Sequence, residues 1–199
     1  MRQHPARHDL AFRSFPMPVP STEFKKALKR LSDKEKETLL LRAVRRDAEL
    51  YETLAFELLP DVTVEQVYAE TSDRIHELFN VAVTGRLLNR SLTKALSKAT
   101  KETARARRIT KDKRLEVDLN LYTLRLIFDH YTGQFDSPYN GFYVGTARLT
   151  ARTAQLVLTN LHEDLWLEYK SELDDFLTQL HNRSKSRNLR FELPRELAV

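Results

Sequence analysis

The 199-residue chain contains no cysteine. Disulfides, thiol nucleophiles and cysteine-ligated zinc or iron–sulfur sites are excluded, and a reducing compartment is the expectation. Glycine is nearly as scarce, with Gly85, Gly133, Gly141 and Gly145 the only four. The prolines stand at positions 5, 16, 18, 20, 60, 138 and 194, so none interrupts residues 61–137. Chains this poor in breakers and rich in Leu, Ala, Glu, Lys and Arg favour helix over sheet. Long apolar runs are missing too. The longest are pieces such as Leu39–Leu41, far short of the roughly twenty residues that cross a bilayer. No hydrophobic stretch near the start has the form of a secretory signal, so the cytoplasm is the expected location and no membrane is an expected partner.

What is present is a chain long enough for one sizeable core, with an apolar share of 41% that matches an ordinary globular domain. The expectation is an all-α fold, a single helical bundle or short solenoid-like stack of six to eight helices over residues 21–182. Residues 1–20 hold four of the seven prolines and read as a disordered arm. Met17 offers an alternative start, with residues 1–16 as an extension that N-terminal peptide mapping would reveal. Residues 183–199 read as a basic, then mixed, C-terminal tail that frays.

Helix signals punctuate the stretch between. A first short helix is expected over about 21–30. Ser32-Asp33-Lys34-Glu35 and Thr63-Val64-Glu65-Gln66 are capping boxes, in which a hydroxyl and an acid or amide side chain satisfy exposed amides. Asp47 stands where it can cap a helix ended by Pro60, and Gly85 where it can end the helix that Thr63 opens. Thr110 can cap the helix that follows. Over 113–131 apolar residues spread almost all round the axis, which marks a central helix. Residues 132–141 are the strong loop signal. The stretches 143–160 and 163–182 follow as helix, either one bent or two.

Charge is spread unevenly. Between Arg86 and Arg114 there are eleven Lys or Arg against Glu102 and Asp112, a local net of +9 within a chain of net +5. Arg86, Arg90, Lys94, Lys98, Lys101 and Arg105 recur at helical spacing opposite a modest apolar face, the pattern that binds a phosphate backbone or an acidic partner. Nothing aromatic interleaves them in sequence. Residues 163–175 carry six acids and one base. Those acids could instead face the basic stretch within the fold, which would dissolve the nucleic-acid reading.

Catalytic signals are thin. Glu168, Glu172 and Asp175 share a helix face. Glu172-x-x-Asp175 is half of the magnesium-binding pattern of the all-helical nucleotide pyrophosphohydrolases. The other half should be a doubled Glu followed by Glu, and only Glu49-x-x-Glu52 is available. Di-iron bundles need two Glu-x-x-His units, and no histidine here follows a Glu at that spacing. Asp73-x-x-His76 reads as surface pairing, and His162 as a helix cap. In the 132–145 loop, Phe135, Tyr139, Phe142 and Tyr143 either form a contact surface or plug the end of the fold, and the plug is favoured. No catalytic residue, metal ligand or cofactor is assigned.

Leu54-Ala55-Phe56-Glu57, Glu116-Val117-Asp118-Leu119 and Asn160-Leu161-His162-Glu163-Asp164-Leu165 with Tyr169 carry a resemblance. From about Leu31 to Leu177 the chain resembles a group of helical proteins of Bacteroidota without an assigned activity. The resemblance implies a bacterial, cytosolic helical protein and carries over no site residue. The leading functional expectation is a non-catalytic interaction or adaptor module with a protein partner, working through a charged helical face. RNA or DNA binding through residues 86–114 is the alternative, and a magnesium-dependent nucleotide hydrolase the third.

Overall fold

The computed structural model describes residues 19–198, apart from the side chains of Arg86, Ser184 and Arg187. The expected arm, up to Pro18, and the alternative start at Met17 lie outside the described residues. Among those described there are eight α-helices and no strand, as the breaker-poor sequence requires. The chain divides into two units, one ending at Asp47 and one beginning at Ala48.

In the first unit are α1 (Thr22–Arg30) and α2 (Asp33–Val44). The Phe24 N–H donates to Ser21 Oγ at 3.1 Å. At α2 both halves of the capping box form: Ser32 N–H donates to Glu35 Oε2 at 2.8 Å and Glu35 N–H to Ser32 Oγ at 3.4 Å. No residue of either helix is buried.

The second unit holds α3 (Ala48–Leu58), α4 (Val64–Phe79), α5 (Arg86–Thr110), α6 (Lys113–His130), α7 (Gly141–Asn160) and α8 (Glu163–His181). Its principal packings join helices one or two places apart along the chain. Helix α6 is the central one expected: eleven of its residues are buried, and it lies against α4, α5 and α7. Its Phe128 stacks on Phe176 of α8 with ring centroids 4.3 Å apart. Helix α5 is the other organiser, packed on α3, α4, α6 and α7.

Several local expectations change. Asp112, not Thr110, caps α6; its Oδ1 accepts the Arg114 and Leu115 N–H groups at 2.7 and 3.2 Å. A carboxylate there also complements the positive helix end. The Thr110 hydroxyl donates back to Ala106 O within α5. Gly85 does not end α4, which stops at Phe79. It leads into α5 at φ +62°, a left-handed conformation costly for residues with a side chain. The stretch after Gly141 is two helices, broken at Leu161 and His162, and His162 Nδ1 accepts the Asp164 N–H at 3.4 Å. Three of the loop aromatics plug the core: Phe135, Phe142 and Tyr143 are fully buried, whereas Tyr139 stays exposed.

The fraying expected after residue 182 does not describe residues 189–198. Leu193 and Leu197 are buried in the core. Lys170 Nζ donates to Leu197 O at 2.7 Å, and Leu197 N–H donates to Asp174 Oδ1 at 2.6 Å. One turn of α8 thus satisfies both polar groups of Leu197, which lets its side chain be buried. Among the described residues no helix is long and apolar enough to cross a membrane.

Leu124 of α6 has no exposed surface. Leu124→Ala should lower unfolding free energy by about 2–5 kcal/mol in urea denaturation, by loss of burial and opening of a cavity. A loss below about 0.5 kcal/mol would show that α6 is not the centre of the core.

Candidate functional site

Helix α5 buries Leu92, Ala95, Leu96, Ala99, Thr103 and Ala106, which share one face of the helix. Its cations therefore fall on the remaining surface, and the fold treats the two ends of the helix differently. Toward the C-terminal end they meet carboxylates. Arg105 Nη2 donates to Glu52 Oε1 at 2.8 Å, and its Nη1 lies 3.9 Å from Glu102. Arg108 holds Glu49 with two bonds at 2.5 and 2.9 Å. Lys111 Nζ reaches Glu57 at 2.8 Å. Helix α3 thus lays an acidic row along this end of α5. Hydrogen bonding from Arg108 pulls the Glu49 carboxyl below its usual range. Arg107 lies 3.7 Å from Glu116, which also accepts from Arg152 at 2.8 Å.

Toward the N-terminal end the cations are open. Arg90, Lys94, Lys98 and Lys101 are exposed, and none has a carboxylate within ion-pair reach among the described residues. Of the six cations singled out in the sequence, these four form one open row. Arg105 belongs to the paired end, and the Arg86 side chain lies outside the description. The acids of α8 reach none of them. Glu168 instead accepts from Arg114 at 3.0 Å, and Glu172 from Arg125 at 2.5 and 2.6 Å.

Arg90, Lys94 and Lys101 of that row line clefts against α7. Gly145 makes that close approach possible: a Cβ built there would sit 2.9 Å from Leu96 Cδ2. Two adjoining clefts, about 610 and 760 Å³, run along the α5–α7 seam. Lys101 and Arg148 line the first, Arg90, Lys94 and Tyr139 the second, and Thr93 and Gly141 both. Arg148 stands over the Phe191 ring, 5.5 Å from its centroid. Residues 86–101 and 137–160 together contain seven Lys or Arg and no acid. Asn140 makes no side-chain cap to α7, so the positive end of that helix also opens here. Sequence reading missed Tyr139 and Arg148 as members of this face. The lack of acids in 137–160 was a visible signal, but their adjacency to α5 was not.

A third cleft, about 530 Å³, lies over α6 and α4, lined by Tyr68, Arg114, Asp118 and Arg125 among others. Asp118 of α6 is among its carboxyls. Burial raises its pKa, against the hydrogen bond from Tyr169, whose O–H donates to Asp118 Oδ1 at 3.0 Å. Burial, with Asp118 alongside, pushes the Tyr169 phenol up to about 12. Both arginines here are taken by the α8 glutamates, so the network chiefly fastens α8 to α6. Of the carboxylates in the nucleotide-hydrolase reading, Glu168 and Glu172 face Arg114 and Arg125, and Glu49 and Glu52 face Arg108 and Arg105. Among the described residues no group of three or more His, Cys, Asp or Glu is placed to hold a metal ion.

No family model, curated protein or solved structure matches this chain.

Because the folded pKa of Asp118 is raised, its ionisation costs stability in full above that raised value. The cost vanishes below the ordinary value of 3.8. Asp118→Asn keeps the acceptor for Tyr169 without the charge. It should raise the thermal midpoint at pH 7, with the gain disappearing as pH falls below that ordinary value. A lowered midpoint at pH 7 would show that the carboxylate charge is needed there.

Proposed function

We propose that this chain is a non-catalytic binding module whose α5–α7 face holds a polyanionic partner. The observation that carries the reading is the open row Arg90, Lys94, Lys98 and Lys101, none of them within ion-pair reach of a carboxylate among the described residues. Cations four residues apart on a helix stand about 6 Å apart along its axis. That is inside the Debye length of about 8 Å at physiological salt, so their fields add. Like charges at this spacing cost a helix a few tenths of a kcal/mol per pair. Elsewhere on α5 the chain offsets such repulsion with carboxylates of α3. Along the α7 side it does not, and a bound polyanion supplies the missing charge. The cytoplasm is the compartment this reading assumes.

Heparin serves as a generic polyanion for the test. Wild-type protein should be retained at about 0.1 M salt and released as salt rises. The double reversal Lys94→Glu/Lys98→Glu should weaken binding at least tenfold with the thermal midpoint unchanged. Lys25→Glu/Lys26→Glu in α1 changes net charge equally and should leave retention nearly intact. Equal losses from both pairs, or no retention of wild type, would overturn the reading.

A further inference from the structure

We infer that the polyanion site runs the full basic face of α5, and that α3 is an acidic cover over its C-terminal half which the partner displaces. This inference rests on the polyanion reading and deepens it.

The basic face does not stop where the open row does. Arg90, Lys94, Lys98, Lys101, Arg105 and Arg108 follow one another at steps of three and four residues along α5. Such steps keep all six on one side of the helix. Leu92, Ala95, Leu96, Ala99 and Ala106 are buried on the other. The whole basic face is about 27 Å long, against about 17 Å for the open row. Nothing in the register of α5 separates Lys101 from Arg105. What separates them is α3.

The cover has the chemistry of the partner. Glu52 and Glu49 give Arg105 and Arg108 the charged oxygens that a phosphate or sulfate would give. The doubly bonded Arg108–Glu49 pair is the geometry in which a guanidinium takes a planar or tetrahedral anion. Glu57 carries the acidic row on to Lys111, the C-cap of α5.

The cover is also lightly held. No residue of α3 is buried, and its half-buried Leu54 and Phe56 stand outside the core cluster. Arg108 and Glu49 keep 58% and 38% of their side-chain surface exposed. Exposed pairs contribute little one at a time and are screened by salt. Residues 57–61, leading toward α4, are all exposed. An element with few buried contacts opens at low free energy while the core stays folded. A polyanion seated on the open row is placed to take Arg105 and Arg108 from α3. The closed cover lowers its apparent affinity, because only the open fraction of molecules offers the full face.

The test uses the full chain and a labelled heparin fragment, read by fluorescence anisotropy. Glu49→Gln/Glu52→Gln keeps the shape of the cover and removes its charge. It should tighten heparin binding about tenfold. Adding Arg105→Gln/Arg108→Gln to that variant should cancel the gain, because the gain comes from those two cations. Hydrogen exchange on the wild-type chain needs no variant. Binding of heparin should speed exchange of the α3 amides about threefold or more, with the α6 amides unchanged. A gain that is absent, or that survives loss of Arg105 and Arg108, would overturn this inference and leave the polyanion reading standing. Exchange in α3 that is unchanged or slowed by bound heparin would overturn it in the same way. Failure of both the wild type and Glu49→Gln/Glu52→Gln to bind heparin would overturn both.

Discussion

Helix α5 has to be two things at once, a core helix and the most basic segment of the chain. Its apolar stripe of Leu92, Ala95, Leu96 and Ala99 is sealed against neighbouring helices. A stripe of small residues and leucines allows close packing but covers only part of the circumference. Everything charged is thereby forced onto the rest. The small residues at Gly141 and Gly145 of α7 complete the constraint, because they let α7 lie close enough for the cations to border a groove rather than a ridge.

From that constraint follows a partition of charge. Helix α3 has no buried residue, yet Glu49, Glu52 and Glu57 all meet cations at the C-terminal end of α5. Exposed ion pairs of this kind contribute little stability one at a time. Their consequence is electrostatic: they neutralise one end of the helix and leave the other to set the local field. Helix α8 does the same for α6, through Glu168 on Arg114 and Glu172 on Arg125. Asp118 and Tyr169, both with raised pKa, belong to that fastening. A perturbed pKa in a cleft is a reason to look for chemistry, but here its cause is desolvation beneath a helix contact.

The docking of residues 189–198 has the same logic. Lys170 and Asp174 stand one helical turn apart and pair at 3.1 Å. They also bind the carbonyl and the N–H of Leu197. Two charges that look like solvated surface in the sequence are the reason a leucine near the chain's end is buried.

Much of the fold was legible without coordinates. Scarce glycine and proline, the Ser32 and Thr63 caps and the all-round apolar pattern of 113–131 foretold helices and the central one, because backbone propensity and hydrophobic period are local properties. Gly85 and Thr110 were misjudged because a cap depends on which neighbouring group wins a given amide, and Asp112 outcompetes Thr110. At the site, the sequence by itself determined that cations gather over 86–114, since composition needs no fold. Which of them face a carboxylate is a matter of distances between residues more than fifty positions apart, such as Arg108 and Glu49. Coulomb energy depends on separation in space, not along the chain, and so only the tertiary structure decided that Arg90, Lys94, Lys98 and Lys101 stand open while Arg105 and Arg108 face carboxylates.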